Sequence, residues 1–126
     1  MKEYEKWIRK ADNDLLNIQN NLASANVPID TCCFHAQQAS EKYLKAYLVF
    51  KNKQFPKTHD LQSLILLCAE INPMFNELSD FVSGIIDFGV EVRYPDQFDD
   101  LTLEDAKNAY QTALKVKAFV LLKFPI

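Results

Sequence analysis

Apolar side chains recur along the first part of the chain at steps of three and four. Tyr4, Trp7, Ile8, Ala11, Leu15, Ile18 and Leu22 form one stripe, which predicts a helix from about Glu3 to Ala25. Asn26-Val27-Pro28 breaks it. Asp30 is placed to cap a second helix running from about Thr31 to Lys51, and the polar, Pro-containing Asn52 to Lys57 reads as a loop. Thr58 and Asp60 can cap a third, shorter helix through Leu61, Leu64, Ile65 and Cys68. Asn72-Pro73 interrupts, and Pro73 suits the first turn of a fourth helix carrying Phe75, Leu78, Phe81, Val82, Ile85 and Ile86. Tyr94-Pro95 and the acidic Asp96 to Asp100 make a long connection. Thr102-Leu103-Glu104-Asp105 resembles a capping box, with Asp105 at the place Glu prefers. Ala106, Ala109, Tyr110, Ala113, Leu114, Val120, Leu121 and Phe124 mark a last helix that Pro125 stops.

Composition strengthens this reading. Two glycines in 126 residues are too few for the turns of hairpins and sandwiches, so an all-α fold is expected. The expectation is a bundle of four long helices with a short one between the second and third, in a single domain over residues 1–126. A chain of this size buries enough surface to stand without a metal or disulfide staple. The net charge is −3 and the pI about 5.3, whereas a generic nucleic-acid binder is usually basic. Any nucleic-acid or nucleotide site must then be local. The opening Met-Lys-Glu-Tyr-Glu-Lys-Trp carries charges where a signal peptide is apolar, and no apolar run approaches a membrane span, so a cytoplasmic protein with no membrane contact is expected. Cys32, Cys33 and Cys68 have neither zinc spacing nor an even count, and read as small apolar residues of a reducing compartment.

The second helix carries the densest candidate chemistry. His35, Gln38, Lys42 and Lys45 fall on one side, while Ala36, Ala39, Tyr43, Tyr47 and Phe50 fall on another. The polar stripe is either solvated surface or part of a site. Ala36, Ala39 and Ser40 allow close helix approach. His59, in Lys-Thr-His-Asp-Leu at a helix start, reads as a neutral cap or loop anchor, because the helix dipole there disfavours a charged imidazole. His35 and His59 are the only histidines, and neither belongs to a zinc pair, so no metal is expected. Arg93 is one of two arginines and has the fork that grips phosphate or carboxylate; a salt bridge to Asp96, Asp99, Asp100 or Glu104 is its other use. Those carboxylates do not have the spacing of a calcium loop. No Gly-rich phosphate loop, Gly-x-Ser-x-Gly elbow or dinucleotide fingerprint is present, and no cofactor is expected.

One ordered set of residues resembles a known family. Trp7 with Ala11 and Asp14-Leu15 comes first. Phe34-His35-Ala36-Gln37-Gln38-Ala39 with Glu41-Lys42 and Leu44-Lys45 follows, then Thr58-His59-Asp60-Leu61, Arg93-Tyr94-Pro95 and Ala106. Together, across nearly the whole chain, they resemble the HEPN domain. The resemblance implies an antiparallel, up-and-down four-helix bundle with an extra short helix, and a symmetric homodimer. It also implies pairing with a minimal nucleotidyltransferase in a toxin–antitoxin type of system. Many HEPN proteins are metal-independent ribonucleases with an Arg, a short spacer and a His facing a cleft at the dimer interface. Here Arg93 is followed by Tyr-Pro-Asp-Gln-Phe-Asp-Asp, and no His lies after His59. The sequence therefore matches the Arg-Tyr-Pro branch, whose members are nucleotide- or substrate-binding partners of nucleotidyltransferases. The expected cleft comprises Arg93, Tyr94, His35, Gln38, Lys42, His59 and Asp60, and the expected role is binding of a nucleotide, RNA or a nucleotidyltransferase. Two alternatives stand beside it: an endoribonuclease using Arg93 with His35 or His59, and a purely structural interaction module.

Overall fold

The computed structural model describes residues 1–83 and 101–125. Ile85, Ile86 and the whole stretch from Arg93 to Asp100, including Tyr94 and Pro95, lie outside the described residues. Within them the chain is helical and contains no strand: α1 Glu3–Leu22, α2 Ile29–Phe50, α3 Leu61–Ile71, a 3-10 helix Pro73–Leu78, α4 Ser79–Val82 and α5 Leu103–Leu121. Pairings between elements fix their directions. Asp14 meets His35, Asp12 meets Tyr43, and Tyr4 meets Phe50, so α1 and α2 run antiparallel. Asp12 also meets Lys117 and Tyr4 meets Phe124, so α5 is antiparallel to α1 as well.

Most of the expected boundaries hold, and their caps show why. Asp60 accepts from the Gln62 amide at 3.1 Å and starts α3. Thr102 accepts from the Asp105 amide at 3.2 Å while Asp105 accepts from the Thr102 amide at 2.9 Å, completing the reciprocal box at the start of α5. Asn52, at φ 56°, closes α2 in the left-handed conformation. Lys53 N then donates to Leu48 O at 2.9 Å and Asn52 N to Val49 O at 3.0 Å, the paired bonds of a Schellman stop.

Four boundaries differ from expectation. Asp30 does not cap α2. The helix begins at Ile29 because the Pro28 carbonyl already accepts from Cys32 N at 3.0 Å, and the Asp30 carboxylate turns to the Thr31 amide instead. α1 ends at Leu22, where Ser24 Oγ binds both Asn21 O and Asn26 O and bends the chain away. The segment after Asn72 opens as a 3-10 helix before becoming α-helical at Ser79. α5 ends at Leu121; the tighter bonds Lys123 N to Val120 O and Phe124 N to Leu121 O turn Phe124 inward rather than along the helix.

The core explains the central place of α2. It has 13 buried residues out of 22, spread around most of its circumference, and the side left partly open carries Thr31, His35, Gln38 and Lys42. α1 and α5 pack most extensively against it. Ala36, Ala39 and Ser40 are buried and let those helices approach. Phe75, fully buried, sits between Tyr47 (ring centroids 4.5 Å) and Phe119 (5.1 Å). Phe124 stacks on Tyr4 at 5.3 Å and meets Phe50 at 4.8 Å. Cys32, Cys33 and Cys68 are all buried. No helix of the described residues is long and apolar enough to cross a membrane.

Candidate functional site

A helix buried over most of its surface must find internal partners for its polar side chains. Two carboxylates do this on α2, one on each flank.

The first is Asp14 of α1. It falls on the apolar stripe of Ala11, Leu15 and Ile18 and is 8% exposed. Its Oδ1 lies 2.8 Å from His35 Nδ1, and its Oδ2 accepts from Lys42 Nζ at 2.7 Å. His35 and Lys42 are each about a quarter exposed at the side chain. An ionised carboxylate only accepts, so the proton on this edge of the imidazole sits on Nδ1. Among the described residues, Nε2 is left for another partner, as are two of the three ammonium donors of Lys42. Gln38 lies between these two residues on the same side of α2 and is partly exposed. Phe34 packs edge-on against the His35 ring, with centroids 5.7 Å apart.

The second carboxylate is Glu41, 2% exposed. Its Oε1 lies 2.8 Å from His59 Nδ1 and accepts from Lys45 Nζ at 3.1 Å. Lys45 is itself buried, with its ammonium 5.5 Å from the Trp7 ring centroid and 5.9 Å from that of Phe55. Gln37, one turn before Glu41, donates from Nε2 to the His59 carbonyl at 3.0 Å, and its Oε1 is buried without a hydrogen bond. His59 thus anchors the loop before α3 to α2 through both ring and backbone. Its neighbour Asp60 is spent on the α3 cap and on Ser63 Oγ at 2.7 Å.

Beside the first carboxylate, Asp12 accepts a short hydrogen bond from the Tyr43 hydroxyl and pairs with Lys117 of α5 at 3.0 Å. Burial first, then the bond to Asp12, pushes the Tyr43 phenol well above its ordinary range.

The polar stripe read from the sequence is therefore split. His35 and Lys42 meet on Asp14, but Lys45 turns to Glu41 and belongs with His59. Spacing of three and four places residues on one side of a helix; which neighbour each meets depends on the elements packed there. Asp60 serves as a cap, and Arg93 and Tyr94 lie outside the described residues. Sequence reasoning did not single out Asp14, Glu41 and Gln37 as site residues. Their signal was an acid inside an apolar stripe and a Gln-x-x-x-Glu-x-x-x-Lys series on one line of α2. Among the described residues, no three His, Cys, Asp or Glu side chains gather into a group that could hold a metal ion.

Comparison with known proteins agrees with this architecture. The HEPN domain profile matches residues 4–123. The crystal structure of an archaeal HEPN homologue superposes with a TM-score of 0.77 at 22% identity, covering 98% of each chain. That likeness bears on the fold. No curated protein matches the chain.

Proposed function

Because the chain belongs to the HEPN family, we propose that it is a binding module for a nucleotide, RNA or a nucleotidyltransferase partner, acting as a homodimer in a toxin–antitoxin type of pair. The observation that carries the reading is the Asp14 carboxylate holding His35 and Lys42 together at 2.8 and 2.7 Å. The pairing fixes an imidazole and an ammonium side by side, and among the described residues two of the three Lys42 donors remain uncommitted. The free ammonium donors suit phosphate oxygens or a carboxylate of a partner, and His35 Nε2 can accept from a hydroxyl or amino group beside them. Arg93 is proposed as the second cation, because a guanidinium grips phosphate or carboxylate with two parallel bonds, and Tyr94, Gln38, His59 and Asp60 are the other proposed members of the site. Titrating a fluorescent mononucleotide and a short RNA into the wild type, Lys42→Ala and Arg93→Ala tests this. Weakened binding in both variants is expected; unchanged affinity in both refutes it. Light scattering that shows only monomer at micromolar concentration removes the dimer from the proposal.

A second reading, a metal-independent endoribonuclease, is favoured by one specific observation. Both imidazoles have Nδ1 held on a buried carboxylate, which leaves Nε2 as the position that exchanges a proton, the arrangement general acid–base work needs. Incubation of RNA with pure protein in EDTA decides between the two. Cleavage abolished by His35→Ala or His59→Ala establishes the enzyme; intact RNA leaves the binding module.

A further inference from the structure

The outward face of α1 carries a feature that the Asp14 site does not use. Lys6, Arg9, Lys10 and Asn13 are exposed and, with Met1, line a shallow hollow that has no carboxylate in its wall. The chain as a whole has 14 cations against 17 anions, so this cluster runs against the mean. Lys6 with Arg9 and Lys6 with Lys10 stand three and four apart, where like charges repel and weaken a helix. Lys6 has one offset, Glu3 at 3.6 Å, in a pair more than half exposed. Among the described residues Arg9 and Lys10 form no ion pair. Folding gains nothing from this crowding, and an external anion would relieve it.

The same face continues with amides. Asn13, Asn17 and Asn20 follow at steps of four and three, all exposed, with Asn17 Oδ1 accepting from Asn21 at 2.7 Å. Amides both donate and accept, as base edges do. From Lys6 to Asn20 the helix rises about 21 Å, at ~1.5 Å per residue, the length of a strand segment rather than of a single phosphate. A membrane surface does not fit, because the apolar stripe of α1, Ala11, Leu15 and Ile18, is buried in the core. Asn13 adjoins Asp14 in the chain, a ~100° step around the helix. The face therefore borders the Asp14–His35–Lys42 cluster.

We propose that this face of α1 is a docking track for single-stranded RNA: Lys6, Arg9 and Lys10 hold its phosphates, the Asn row meets its bases, and the track leads to the Asp14–His35–Lys42 cluster. The proposal rests on the nucleotide- or RNA-binding reading above and extends it from a nucleotide-sized site to a strand.

The test compares the wild type, a triple Lys6→Gln, Arg9→Gln, Lys10→Gln variant, and Lys42→Ala. The probes are a fluorescein-labelled oligo-U 15-mer, an oligo-dT 15-mer, fluorescent AMP and phosphatidylserine vesicles, read over a salt series. Circular dichroism melts confirm that the exposed substitutions leave the fold intact. The triple variant is expected to lose at least tenfold in RNA affinity at low salt and to keep its AMP affinity. Its plot of log K against log salt should flatten by about 2, since each of three phosphate contacts contributes ~0.7 on a single strand. An unchanged slope overturns the track, as does a loss confined to vesicles. Tighter binding of oligo-dT than of oligo-U overturns the choice of strand. If Lys42→Ala abolishes AMP and RNA binding while the triple variant matches the wild type, the track falls and the binding-module reading stands. If the wild type binds none of the nucleic-acid probes, the track falls together with the nucleotide or RNA part of the reading, and a nucleotidyltransferase partner is what is left of it.

Discussion

Replacing Asp14 by Asn keeps the shape of the side chain and removes the charge on which His35 and Lys42 converge. Two charge-assisted hydrogen bonds are affected, at 2.8 and 2.7 Å. Such bonds are worth about 1.5–3 kcal/mol each when well shielded. Asp14 is shielded, at 10% side-chain exposure, but its partners are about a quarter exposed and recover part of their hydration when released. Discounting for that, the loss is about 1–1.5 kcal/mol per bond, or ~2–3 kcal/mol in all. Unfolding entropy near ~2.1 cal/mol/K per residue, taken over this chain, converts the loss to a Tm lower by about 8–11 °C. Thermal melts of the wild type, Asp14→Asn, Lys42→Met and the double variant at pH 7 measure it. The double-mutant cycle should show a coupling of about 1 kcal/mol between Asp14 and Lys42. A Tm for Asp14→Asn within about 2 °C of wild type, or strict additivity in the cycle, refutes the account of Asp14 as the organising charge.

Two further outcomes are expected. Burial raises the Cys68 thiol from 9.0 to about 12, and burial with Asp12 raises the Tyr43 phenol, so the folded chain keeps protons that the unfolded chain has released. Stability contributed by Cys68 is therefore whole below pH 9 and is lost as pH rises toward 12; Tm should fall across that window, less steeply in Cys68→Ala, and equal slopes would refute the linkage. Phe75→Ala opens a void between Tyr47 and Phe119 and should cost about 3–5 kcal/mol by urea unfolding, while a loss below about 1 kcal/mol would mean that the ring contacts there are not part of the core.

The sequence discloses local features of this protein better than it does encounters between elements. The stripes of α1 and α5, the Asp60 cap, the Thr102–Asp105 box and the stop at Asn72-Pro73 depend on residues within a turn of one another, and each is visible in the chain. The start of α2 was misplaced because Pro28 caps through its backbone carbonyl, which leaves no side-chain signature, whereas Asp30 offers a familiar one. Phe124 read as helical from its spacing but is drawn off the helix line by Tyr4, Tyr47 and Phe50, rings from distant parts of the chain. At the candidate site, His35 and Lys42 were legible as a pair. Their shared partner, 21 and 28 residues away, was not, and neither was the diversion of Lys45 to Glu41. Periodicity predicts the bundle, the family resemblance adds its antiparallel order and the expected chemistry, and the domain match gives the family itself.

The two carboxylates that flank α2 also bear on how the molecule can move. Asp14 grips it from α1 through His35 and Lys42, and Glu41 reaches from it to His59 in the loop before α3. Turning α2 about its axis, or sliding it by a single register step, breaks these three contacts at once. The helix therefore behaves as a fixed spindle rather than a lever. Any message this domain passes on binding must be carried by parts that shift around α2.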